Sequence, residues 1–134
     1  MLVSMKLTTT KSIFHMPREG ETVRQSVTVR RDGCWWLSEY EMTKEGDIPC
    51  FSAKRYRVSS EKAAEILDAV EGAVFDDGVY IMDGGEFDLV KVFKGGRKEK
   101  IHGNVSPLGV PLNGDISSLI RRDLSNDELF GFDC

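Results

Sequence analysis

The sequence predicts an α+β fold: a mostly antiparallel β-sheet with one main helix packed on one face and a short C-terminal helix. Three observations carry this. Alternating apolar and polar segments come in runs, not one by one with helices; a single helix between two such runs is marked at both ends; and Asp32-Gly33 and Gly95-Gly96 sit between alternating segments as hairpin turns.

Residues 2 to 9 alternate weakly and read as an edge strand, after which Pro17, Glu19 and Gly20 break the pattern. Val23, Val27 and Val29 then alternate with polar residues up to Asp32-Gly33, and Cys34 to Met42 resumes the strand pattern. A two-residue Asp-Gly turn would put Val29 opposite Trp36 and Val27 opposite Ser38 on the core side. Arg30 would then stand opposite Trp35, Thr28 opposite Leu37 and Arg24 opposite Glu41 on the solvent side.

Residues 43 to 49 form a loop, and Cys50 to Val58 is a third strand leading into the helix. In that helix Ala63, Ile66, Leu67, Val70 and Val74 share a stripe, while Glu61, Lys62, Glu65, Asp68 and Glu71 point away. Ser59 or Ser60 supplies the N-cap, and Gly72 a left-handed stop.

Val79 to Met82, Phe87 to Phe93 and Arg97 to His102 read as further strands. With Gly95-Gly96 as a two-residue turn, Lys91 falls opposite Lys100, sharing a face with Phe87, Leu89, Phe93, Lys98 and His102. Gly103 to Gly114 is irregular, Asp115 caps a short helix carrying Ile116, Leu119, Ile120 and Leu124, and residues 125–134 form an acidic tail with two Phe.

At 134 residues the chain is one domain, 1–134, able to bury a core without disulfides or a metal. Its formal charge of −4 disfavours a dedicated nucleic-acid binder unless a local basic patch overrides it. Three Cys without short spacing fit a reducing, cytoplasmic setting. No window has the length and apolarity to span a membrane.

Chemistry-bearing motifs are scarce. His15, His102, Cys34, Cys50 and Cys134 have no spacing that encodes a dyad, so a Cys–His pair would have to be assembled by the fold. No metal-ligand spacing exists, and both Gly pairs lead into strands, not into the helix a phosphate cradle requires. The expectation is no catalytic residue, no metal and no cofactor.

Two features point to a partner. Trp35 with Arg30 and Leu37 on the solvent side has the composition of an interface hot spot, the alternative being that a loop or the N-terminal strand covers Trp35. For Lys91, Lys98 and Lys100 on the second hairpin three readings stand: charges simply solvated on the tip, the chain's own acidic tail folded over them, or an acidic partner bound there.

The Asp32-Gly33 hairpin, the stretch Val58 to Leu67 leading into Asp76-Asp77-Gly78, the strand Phe87 to Val92, its Gly95-Gly96 turn and the Gly103 to Pro107 segment resemble a group of small bacterial α+β proteins. Some of these are immunity proteins encoded beside polymorphic toxins; Phe87 stands where they often carry Trp. The resemblance implies binding without a reaction. The expectation is therefore a non-enzymatic protein-binding module, an immunity-type inhibitor of another protein, with homo-oligomerisation as a further use of the Trp face. The alternative is a small-ligand binder or small enzyme with its pocket near residues 103–114 and His102 at the mouth.

Overall fold

The computed structural model describes residues 1–11, 21–41, 49–73, 85–104, 111–125 and 129–130. Six strands, β1 (Leu2–Thr10), β2 (Thr22–Arg30), β3 (Cys34–Glu41), β4 (Cys50–Arg57), β5 (Glu86–Phe93) and β6 (Lys98–Asn104), form one antiparallel sheet in the order β4-β3-β2-β1-β5-β6. Helices α1 (Ser60–Gly72) and α2 (Pro111–Leu124) touch each other and share a core with one face of that sheet. The fold is α+β, as the runs of strands imply. The first strand is not at an edge: β1 pairs with β2 on one side and β5 on the other.

From Ala63 to Val70 the apolar stripe of α1 is the one that its periodicity marks out; Val74 lies outside the described residues. Ala63, Ile66, Leu67 and Val70 are fully buried against Met5, Leu7, Val27, Val29 and Leu89. Ser59 is the N-cap, its hydroxyl accepting from the Lys62 N–H at 3.2 Å. The stop differs from expectation. Gly72 stays within the helix, and Ala73 ends it in an extended conformation, its N–H donating to the Val70 carbonyl. The outward acids of α1 engage neighbours: Asp68 takes the Arg31 guanidinium at 2.7 Å, and Glu71 accepts the Leu2 N–H at 2.5 Å.

Both hairpins run one residue out of the two-residue register. Val29 pairs with Trp35, Thr28 with Trp36 and Val27 with Leu37, around a three-residue loop of Arg31, Asp32 and Gly33. An Asp-Gly type I′ turn needs positive φ at both residues, but here only Gly33 has it, at +92°. Asp32 instead keeps ordinary backbone, and its carboxylate accepts the Cys34 N–H at 3.0 Å, an arrangement that favours the longer loop. The second hairpin repeats this: Lys94, Gly95 and Gly96 form the loop, both glycines have positive φ, and Lys91 pairs with Glu99 instead of Lys100.

A one-residue slip exchanges faces. Trp35 and Leu37, expected at the solvent side, are buried at 0% and 1% exposure under the helices, and Trp36 takes the open side. Lys91 joins Phe87 and Leu89 on the covered face and is buried, while Lys98, Lys100 and His102 lie exposed on the other.

At the C-terminal end, α2 begins at Pro111, ahead of the expected cap at Asp115; proline suits a first helical position because no N–H is needed there. Ile116, Ile120 and Leu124 are buried, Leu119 partly so. Leu129 and Phe130 return to the core. The Phe130 N–H donates to the Gln25 side chain at 2.8 Å, and Arg121 donates to the carbonyls of Leu129 and Phe130. These two residues therefore pack near β2 and α2 and leave Lys98 and Lys100 uncovered. The expected strand Val79 to Met82, the loop 43–48 and His15 lie outside the described residues.

Candidate functional site

With the helices on one side, alternation places the other set of side chains on an open sheet face. Pairing aligns them into rows crossing the strands. One row carries Arg57 beside Cys34, Arg30 beside Ser4, then Val92 and Lys98; the next carries Arg55, Trp36, Thr28, Lys6, Val90 and Lys100. Six exposed cations thus lie in two neighbouring rows: Arg55 and Arg57 on β4, Arg30 on β2, Lys6 on β1, Lys98 and Lys100 on β6. At about 4.8 Å per strand, the stripe is roughly 24 Å long.

Trp36 is its aromatic centre on β3. The Arg30 guanidinium stands 5.9 Å and that of Arg55 5.7 Å from its ring centroid, each within cation–π range. Arg30 also pairs with Asp32 at 2.9 Å; among the described residues no carboxylate lies within ion-pair distance of Lys6, Arg55, Arg57, Lys98 or Lys100. A shallow hollow of about 390 Å³ lined by Val3, Ser4, Arg30, Arg31 and Asp32 opens at the foot of the stripe.

The remaining rows are of mixed charge. Arg24 lies over the Tyr40 ring at 5.9 Å and donates to the Thr10 hydroxyl, and the Thr8 hydroxyl donates to that of Ser26. At the far edge His102 Nδ1 meets Asp88 Oδ1 at 2.7 Å. The hydrogen bond to Asp88 raises the imidazole pKa above its ordinary value; slight burial opposes it, and the charges of Asp88 and Glu86 add to it.

Of the residues singled out from sequence, Arg30, Lys98 and Lys100 belong to this stripe. Trp35 and Leu37 are sealed in the core and Lys91 is buried, so none of the three offers an accessible surface. Sequence reasoning passed over Lys6, Arg55 and Arg57 and placed Trp36 on the core side. The Arg55 and Arg57 alternation on the third predicted strand was the available signal; Lys6 joins only through long-range pairing.

Cys34 on β3 and His102 on β6 are separated by four strand spacings, roughly 19 Å or more, too far for proton transfer. Among the described residues no group of three His, Cys, Asp or Glu is placed to hold a metal ion, and no helix is long and apolar enough to cross a membrane. The loop 105–110, beside which the alternative pocket was expected, lies outside the described residues. Compared with known protein families and with curated proteins, the chain matches none.

Proposed function

We propose that this protein is a non-enzymatic binding module, an immunity-type inhibitor that blocks a partner protein through the open face of its sheet. The observation that carries the reading is Trp36, half-buried on that face between strands bearing the Arg30 and Arg55 guanidiniums. Aromatic and arginine anchors set among smaller polar side chains are the composition of interface hot spots. The neighbouring Thr28 and Thr8 supply short side chains that let another surface approach closely.

The test is recovery of a partner from native lysate with the tagged full chain, alongside the double variant W36A/R55E. A stoichiometric protein partner that the variant loses, at unchanged melting temperature, is the expected result. Recovery of no such partner under several growth conditions overturns the reading.

A further inference from the structure

We infer that the partner presents an acidic protein surface, and that the two-row cationic stripe across β4, β2, β1 and β6 is where it docks. The inference rests on the binding-module reading and adds the partner's chemistry. Its ground is charge complementarity. The six stripe cations hold +6 in a chain whose formal net charge is −4, which leaves −10 on the rest of the molecule. A cluster of cations in a chain of net negative charge orients an approaching acidic surface toward the stripe, an effect on encounter rate that salt weakens.

Two observations favour a folded acidic protein over a nucleic-acid strand. The formal net charge of −4 disfavours a polyanion long enough to reach beyond the stripe, whereas a carboxylate patch on a protein ends where its partner surface ends. Trp36 also already has a guanidinium near its ring from each neighbouring side, which competes with the stacking that unpaired bases need. A second copy of the chain would have to set an acidic surface of its own on the stripe, a head-to-tail contact that builds rings or filaments and not a two-fold dimer.

The experiment uses the full chain with two charge-matched probes, a twelve-residue polyglutamate peptide and a twelve-nucleotide oligothymidylate. Binding of the peptide is expected, weakening about tenfold or more as salt rises from about 0.05 to 0.3 M. The triple variant K6E/R55E/K100E, whose positions are all exposed, is expected to lose at least about tenfold in affinity at unchanged melting temperature, while K62E on α1 keeps it. Tighter binding of the oligothymidylate, salt-dependent self-association in light scattering that the triple variant abolishes, or peptide binding that ignores the triple variant would each overturn the inference. A cellular partner retained by the triple variant overturns the acidic-stripe inference alone and leaves the binding-module reading standing.

Discussion

Gly33 and Val58 meet backbone to backbone: the Val58 N–H donates to the Gly33 carbonyl at 2.8 Å, and the Val58 carbonyl oxygen fills the space where a side chain on residue 33 would begin. This contact ties the loop between β2 and β3 to the residue just before the N-cap of α1. Gly33→Ala therefore meets both a φ of +92° and a backbone oxygen, and is expected to destabilise by about 1 to 3 kcal/mol or more. Gly72→Ala, where nothing lies within 4 Å of the added carbon, is expected to be neutral or to stabilise by up to about 1 kcal/mol. Denaturant melts of the two variants check the contrast.

Adjacent tryptophans give a second contrast. Trp35→Ala removes a side chain at 0% exposure and is expected to cost about 3 to 5 kcal/mol, in the range of Leu67→Ala at about 2 to 5 kcal/mol. Trp36→Ala is expected to cost less than about 1 kcal/mol, because its ring lies on the open face. Equal losses in chemical melts would contradict the assignment of faces.

How far this was legible from sequence turns on those two residues. The stripe of α1, its serine cap and the positions of both hairpins follow from local periodicity and turn chemistry. The register does not: with Trp35 and Trp36 side by side, the valine alternation of β2 continues equally well to either, and loop length alone decides. Lys91 hid its burial behind its charge. The central place of β1 had no local signal, since its partner β5 lies about eighty residues away, and without that pairing Lys6 cannot be brought into line with Arg55 and Lys100.

The segment after α2 is structural at Leu129 and Phe130. Deleting residues 129–134 removes two nearly buried side chains and the bond to Gln25, and is expected to destabilise by roughly 3 to 6 kcal/mol as an upper range. Arg121→Ala, which releases the carbonyls of the same two residues, should lower stability in the same direction by a smaller amount. Thermal melts of both variants decide this; an unchanged midpoint for the deletion would show that the segment contributes nothing.

His102 provides a titration. Its pKa is raised through Asp88, so the pair's contribution is fully present below the unfolded imidazole value of about 6.5 and is lost as pH rises through the higher folded value. Solvent screening keeps the effect on stability small, since both side chains are mostly exposed. Ring-proton NMR is expected to show His102 titrating above its ordinary value in the parent chain and returning toward it in Asp88→Asn.

The middle position of β1 has a consequence for how the chain acquires its shape. β1 has a neighbour close behind it in the chain, β2, yet its other flank stays unpaired until β5 has been made. The four-strand ribbon β1 to β4 with α1 is thus the natural early unit, and docking of the β5–β6 ribbon is a late, long-range step whose entropic cost makes it slow. Until then the inner edge of β1 is a transient template for mispairing, and the exposed lysine at position 6 stands as a gatekeeper on that edge.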